Sequence, residues 1–314
     1  MGRVIMQFSP LYKLENSFFG NILYIKRDDL IPFSFGGNKA RKAALFFNSI
    51  DKGNYDCLVT YGSSSSNHCR VVANECCQRG MPCYIIGPEE ASQTTYNSQM
   101  MGMFGAEIVR VPVTAVHETI EAKLAALRVD GKHPYFIEGG GHGDIGTEAY
   151  VQCYREIAEY EKQHQLHFDY IFFASGTGTT QAGLVCGQLI AGDVRGIIGI
   201  SIARPNPRGR EVVLDSIRSY LKGMASEEEV QKKTHFVDDY AVGYGTANEQ
   251  VLETIKNVMC KYGIPLDKTY TGKAFWGMQD YVNKKDIKGK NILFLHTGGT
   301  PLFFDTLRML WEDE

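Results

Sequence analysis

No apolar run in the 314-residue chain approaches the length of a membrane span, for which a helix needs about 20 consecutive apolar residues. The opening MGRVIMQFSP lacks the apolar core of a secretory signal, and Met6 stands where N-myristoylation requires Ser or Thr. Neither sign of charge is in excess: 33 Lys+Arg against 36 Asp+Glu leaves no basic field for nucleic acid or acidic lipid. The cysteines at 57, 69, 76, 77, 83, 153, 186 and 260 lack the repeated CxxC or Cys/His spacing of a structural zinc site. No metal is expected. They read as reduced thiols of a cytoplasmic protein, mostly core filler, with adjacent Cys76 and Cys77 on different faces of one helix. No internal repeat appears, and no low-complexity tract beyond the serines at 63–66. What remains is an ordinary globular composition, 44% hydrophobic and 22% charged, long enough for about two domains. Its partner is a small molecule or another copy of itself.

What is present is an alternation of β-rich and helical segments. YDCLVTYGSSSSNHCRVVANECCQRGMPCYIIG reads as a strand at 57–61, a polar loop, a helix to about residue 78 and a second strand. That is a parallel βαβ unit with a right-handed crossover. A helix at 94–104, a strand in GAEIVRVPV and a helix at 114–129 complete a layer of three strands. PYFIEGGGHGDIG reads as a glycine-rich break before a helix at 147–163, and FDYIFFASGTGTTQAGLVCGQLI as strand, Gly/Thr loop and helix. GIIGISIA (196–203) is a buried strand before the loop RPNPRGR, and MASEEEVQKKT an exposed charged connector. HFVDDYAVGYG, a helix at 248–261, a helix start in TYTGKAFWGMQDYV, and strand and loop in NILFLHTGGTPLFF follow. The fold class is α/β, two layers of mostly parallel strands flanked by helices, in which ligands bind beyond the carboxyl ends of the strands.

Three loops follow such strands: GSSSSNH (62–68), SGTGTTQAG (175–183) and HTGGTP (296–301). In the second, amides freed by glycine, threonine hydroxyls and a helix start form a phosphate cradle; a tight turn with a threonine cap is the plainer alternative. The loop continues QAG where an ATP-binding loop needs GK[ST], and glycines at 176, 178 and 183 miss the dinucleotide spacing GxGxxG. The next strand ends on Ala203-Arg204 without a ribose-binding acid, which leaves NADP, through Arg204, a second choice. FSFGGNKARK (33–42) places two glycines before Lys39. Its plain reading is a solvated helix start capped by Asn38. A phosphate cradle in one layer, a Ser/Asn loop in the other and a lysine together suit pyridoxal phosphate, which needs an amine, phosphate donors and a hydrogen bond to its ring oxygen.

GGNKARK, SSNHCR, SGTGTTQAG, YGTANE, LDKTYTGKAFWG and HTGGTP, in this order, resemble the 1-aminocyclopropane-1-carboxylate deaminase / D-cysteine desulfhydrase family of tryptophan-synthase-β-like, type II pyridoxal-phosphate enzymes. The resemblance runs from about residue 26 to 299. It implies a large domain of residues 1–42 and 150–314, a small inserted α/β domain of 43–149, a cofactor between them, and usually a homodimer. It implies Lys39 as the Schiff-base lysine, Lys42 as a phosphate contact, and Thr177, Gly178, Thr179 and Thr180 as the cradle. Asn67 would bond the ring oxygen. Ser66 would meet the substrate carboxylate or move a proton, His68 would be a further substrate contact, and Tyr244 and Tyr270 would be the two active-site tyrosines. Glycines 36 and 37 would let the backbone turn so that Lys39 reaches the cofactor, leaving Arg41 solvated.

The resemblance also implies that Thr271 and Thr297 would stand at the cofactor-facing positions that separate the family's two reactions. The ring-opening deaminase carries an acid and a leucine there, whereas these threonines, with SNH in place of SNQ, follow the desulfhydrase pattern. A neutral hydroxyl at the pyridine nitrogen supports a long-lived carbanion less than a carboxylate does, which favours elimination. The sequence also departs from the family at Ser65, at Val71, and in EGGGHGDIG, which introduces His142 and Asp144; the last two read as loop polar residues. The reading is a pyridoxal-phosphate lyase that α,β-eliminates a small amino acid, D-cysteine-like or β-substituted alanine. Its alternatives are a β-replacement synthase, 1-aminocyclopropane-1-carboxylate deaminase, and a non-catalytic amino-acid-binding homologue.

Overall fold

From the amino end, the chain runs through β1 (Leu11–Phe18), β2 (Asn21–Arg27), α1 (Gly37–Ile50), β3 (Cys57–Tyr61), α2 (Asn67–Arg79), β4 (Cys83–Pro88), α3 (Tyr96–Met103), β5 (Glu107–Val111), α4 (Val116–Val129), β6 (Pro134–Ile137) and α5 (Asp144–His164). It continues through β7 (Tyr170–Ser175), α6 (Thr179–Ala191), β8 (Gly196–Ser201), α7 (Arg208–Leu221), α8 (Glu227–Lys233), β9 (His235–Val237), α9 (Glu249–Tyr262), α10 (Thr271–Lys284), β10 (Asn291–His296) and α11 (Thr300–Trp311). This computed structural model describes residues 8–311; the reading of residues 1–7 as neither export signal nor acylation site lies outside them. Two compact units emerge, one comprising the chain up to Asn38 and from Gly146 onward, the other Lys39–Ile145.

In the Lys39–Ile145 unit the strands lie in the order β5-β4-β3-β6, all parallel. Cys57, Val59 and Ile86 pack with Ile120, Leu124 and Leu127 of α4, which recur at the i, i+4, i+7 spacing of one helix face. Each such aliphatic side chain contributes about 1.5–3 kcal/mol on burial. The sheet has four strands, not the three expected: PYFI is no break but β6, whose Tyr135 and Phe136 register with Leu58 and Val59 of β3.

In the other unit the order is β1-β2-β10-β7-β8-β9, with β1 antiparallel to β2 and the remaining pairs parallel. Phe172, Ile198, Ile200 and Phe294 pack with Val251, Ile255, Phe275 and Met278. The β1–β2 hairpin, which no sequence signal announced, turns on Phe19 and Gly20, both at positive φ. That is the turn geometry that matches strand twist. Two cations of β2 are buried and paired, Lys26 with Glu156 at 2.8 Å and Arg27 with Asp29 at 2.7 Å, as burial of charge requires. The charged connector is corrected to the helix α8, opened by a capping box between Ser226 and Glu229. RPNPRGR runs directly into α7.

Both sheets reverse direction once. β3 leads outward through β4 to β5 while β6 lies on its other side, and β7 leads to β8 and β9 while β10 lies on its other side. Loops beyond the carboxyl ends at such a reversal form the ligand crevice of parallel α/β sheets. They are 62–66 and 138–143 in one unit, and 176–178 and 297–299 in the other.

Candidate active site

At the β7–α6 loop, Gly178 is the N-cap of α6 with φ 95°. A Cβ there would stand 3.3 Å from Val212 and 3.4 Å from Val213, so the position needs glycine. Glycine offers no side-chain acceptor to the first-turn amides, while Thr179 and Thr180 follow, both buried, and Thr177 is half-buried. A helix of thirteen residues begins here with its positive end and hydroxyls together, the makings of an anion cradle.

The start of α1 is tied to the same loops. Gly37 lies at φ 89°, and a Cβ on it would fall 2.8 Å from the Thr297 carbonyl oxygen. Gly298, at φ 101°, would bring a Cβ within 2.5 Å of Gly37 Cα. Because α1 begins at Gly37, Asn38 is inside the first turn and is not the cap that was expected. Its N–H donates to Thr297 O at 2.9 Å, and its amide donates to Thr180 Oγ1 at 3.1 Å. Lys39 is the next residue.

His296 holds the last loop. Its Nε2 lies 2.8 Å from the Pro265 carbonyl, which can only accept, and Gly298 N–H donates to its Nδ1 at 3.2 Å. The ring is therefore the neutral Nε2–H tautomer. Asp29 Oδ1, 3.4 Å from Nδ1, is a neighbour and not an ion-pair partner. Thr297 is buried and follows directly.

Before α10, the buried Asp267 carboxylate accepts from Thr269 N–H at 2.9 Å, Tyr270 N–H at 2.8 Å, Thr271 N–H at 3.2 Å and Thr271 Oγ1 at 2.8 Å. Burial pushes its pKa up while these four donors pull it down. The Thr271 hydroxyl proton is thus committed to Asp267, and its oxygen also accepts Asp267 N–H at 2.9 Å. The Tyr270 and Tyr244 hydroxyls lie 2.9 Å apart. Lys273, one turn further, is buried and donates to Ile202 O at 3.1 Å and to Gly243 O, fastening the backbone beside Tyr244 to α10. Burial lowers its amine to about 8.

In the Lys39–Ile145 unit, Ser66 is the N-cap of α2, accepting from Cys69 N–H at 3.1 Å, which leaves its own proton to give. Gly62 makes this possible, since a Cβ there would fall 2.9 Å from Ser66 Oγ. Asn67 Oδ1 accepts from Asn97 Nδ2 at 3.0 Å and Arg70 Nη2 at 3.4 Å. Thr60 Oγ1 donates to Ile137 O at 2.7 Å and lies 2.9 Å from His68 Nε2. With its one proton spent on the carbonyl, Thr60 must accept, so His68 carries Nε2–H and a bare Nδ1. Burial, then the charges of Lys39 and Lys42, hold His68 well below the usual histidine range.

The half-buried Lys39 donates to Gly140 O at 2.8 Å, and burial lowers its amine to about 8. Lys42, one turn on, lies well below the ordinary lysine range because of burial and the charge of Lys39. Arg41 is corrected: expected in solvent, it is 1% exposed. Asp144 opens α5, where an acid suits the helix's positive end, and His142 is half-buried in the loop before it.

These groups fit pyridoxal phosphate. Each is of a kind that the cofactor engages: two crowded amines a turn apart suit a carbonyl and an anion, a glycine-capped helix start with threonines suits a phosphate, and an asparagine held by its oxygen has donors to give. Asn97, Asp267 and Lys273 were missed as site residues. Asp267 and Lys273 stand inside LDKTYTGKAFWG, but Asn97 lies outside every motif, and no local pattern marks it.

The profile of the family described as pyridoxal-phosphate dependent enzyme matches residues 6–298. D-cysteine desulfhydrase of Serratia proteamaculans is 32% identical over 308 residues, covering 94% of this chain and 92% of that one. A putative 1-aminocyclopropane-1-carboxylate deaminase of Pyrococcus abyssi is 31% identical, covering 95% and 90%. A crystal structure of an ACC deaminase homologue superposes with a TM-score of 0.84 at 31% identity, covering 98% and 95%.

Proposed function

The chain belongs to the pyridoxal-phosphate-dependent enzyme family, and from that premise we propose that it α,β-eliminates a small amino acid of the D-cysteine type. Cysteine and water give a 2-oxo acid, ammonia and hydrogen sulfide. The observation that carries the reading is Lys39, a lysine lowered to about 8 by burial and following Asn38, whose amide reaches Thr180. The named activity of the Serratia relative supports it.

Bound pyridoxal phosphate supplies a carbonyl that captures amines and a ring that accepts electrons released at Cα. Lys39 would take the covalent position, and Lys42 with Thr177, Gly178, Thr179 and Thr180 would hold the phosphate. Asn67, whose Oδ1 is already occupied, would give its NH2 end to the ring oxygen. The Thr271 hydroxyl proton is committed to Asp267, so of Thr271 and Thr297 it is Thr297 that would donate to the ring nitrogen. The Lys39 amine would be the base for the Cα proton, a task its lowered pKa suits near neutral pH. Ser66 and His68 hold the substrate, and the Tyr244–Tyr270 pair moves the proton that the departing sulfur needs. No helix among the described residues is long and apolar enough to cross a membrane. The eight cysteines are free thiols, six of them buried, which supports a cytoplasmic enzyme; a homodimer is proposed from the resemblance.

Ring opening of 1-aminocyclopropane-1-carboxylate is the second reading, supported by the Pyrococcus relative's name. Cofactor-loaded protein is supplied with D-cysteine, L-cysteine or the cyclopropane acid, and sulfide and 2-oxo acid are assayed. Equal amounts of both from D-cysteine, with no oxo acid from the cyclopropane acid, are expected. Oxo acid from the cyclopropane acid alone establishes the second reading, and none from any of the three sinks both.

A further inference from the structure

Asn97 is fully buried at the start of α3. Its Nδ2 donates to the Ser65 carbonyl at 2.8 Å and to Asn67 Oδ1 at 3.0 Å, while its Oδ1 is buried without a hydrogen-bond partner. A buried acceptor left unmade costs about 1–3 kcal/mol. Turning the amide over would not remove the problem, because its oxygen would then face the Ser65 and Asn67 oxygens with no proton between. Both protons of Asn97 therefore serve loop 62–66 and the residue after it. The second fixes which end of Asn67 is committed: with Oδ1 accepting from Asn97 and from Arg70, the NH2 end is the one turned outward.

We propose that Asn97 is a positioning residue that holds Asn67 in the one amide orientation able to donate a hydrogen bond to the cofactor's ring oxygen. The proposal rests on the cofactor role given to Asn67 above. Asn97 itself touches neither cofactor nor substrate. It acts from another helix through one hydrogen bond, so its effect on cofactor affinity depends on Asn67 being present.

A double-mutant cycle on full-length, cofactor-stripped protein tests this. Pyridoxal phosphate is titrated into the wild type, Asn67→Ala, Asn97→Ala and the double variant. Asn97→Ala is expected to weaken binding about tenfold, the worth of one well-placed hydrogen bond, and the double variant to bind no worse than Asn67→Ala. Losses that multiply would overturn the proposal, since Asn97 would then act through Ser65 or through the fold. If Asn97→Ala does not fold, Asn97→Asp keeps the volume and sets a carboxylate against Asn67 Oδ1; the same loss is expected, and unchanged affinity overturns the idea. The Asn67 side-chain NH2 resonances of the cofactor-free protein are expected to shift in either variant, and unmoved resonances overturn it too. A wild type that takes up no pyridoxal phosphate counts against the cofactor role alone, the resonances still deciding the orientation.

Discussion

The hydroxyls of Tyr244 and Tyr270 are 2.9 Å apart, with their rings edge to face at 83°. Two phenols joined in this way share one hydrogen bond, one hydroxyl donating and the other accepting. Tyr270→Phe and Tyr244→Phe are each predicted to lower kcat by about 10²–10⁴-fold if the pair moves a catalytic proton. The double variant should be little worse than either single one, because groups that act as a unit are not additive. Steady-state kinetics on the four proteins checks this, and losses that multiply would mean the tyrosines work separately.

Lys273, on the helix that Tyr270 caps, donates to Ile202 O and to Gly243 O beside Tyr244. In Lys273→Met the two carbonyls lose their cation. Hydrogen exchange in a peptide spanning 239–246 should quicken, while peptides from β10 stay as protected as before. In the loaded enzyme kcat should fall with pyridoxal phosphate affinity unchanged. Equal exchange in variant and wild type would remove Lys273 from this role.

Lys39 gives a prediction about pH. In the cofactor-free protein its folded pKa, about 8, lies below the ordinary lysine value of roughly 10.4. Between those two pH values the unfolded chain binds the extra proton, so stability rises with pH. Lys42 and Lys273 are shifted in the same direction. Lys39→Met removes one share of the slope: urea unfolding from about pH 7.5 to about pH 9.5 should show the wild type gaining on the variant. Parallel curves would mean that the amine is not lowered.

The motifs with chemistry of their own were legible in the sequence. GGNKARK and HTGGTP do meet, because Gly37 and Gly298 allow backbone contact that any Cβ would prevent, and SGTGTT does open a helix. What escaped was set by distant partners. PYFI was hidden by the glycines that follow it, although its register with β3 makes it a strand. The β1–β2 turn lacks Asn-Gly and places Phe19 at positive φ instead. Arg41 looked solvated because a run of cations usually is, yet tertiary packing buries it. Asn97 could not be found from sequence at all, since what sets it apart is two hydrogen bonds, to Ser65 and to Asn67, some thirty residues earlier.

The most direct measurement is borohydride reduction of the cofactor-loaded protein followed by peptide mass mapping. The account predicts a visible absorbance band that reduction abolishes, with one phosphopyridoxyl group on the peptide at Lys39 and none on Lys39→Ala. A group fixed at Lys42 or Lys273, or a protein that takes up no pyridoxal phosphate, would contradict it.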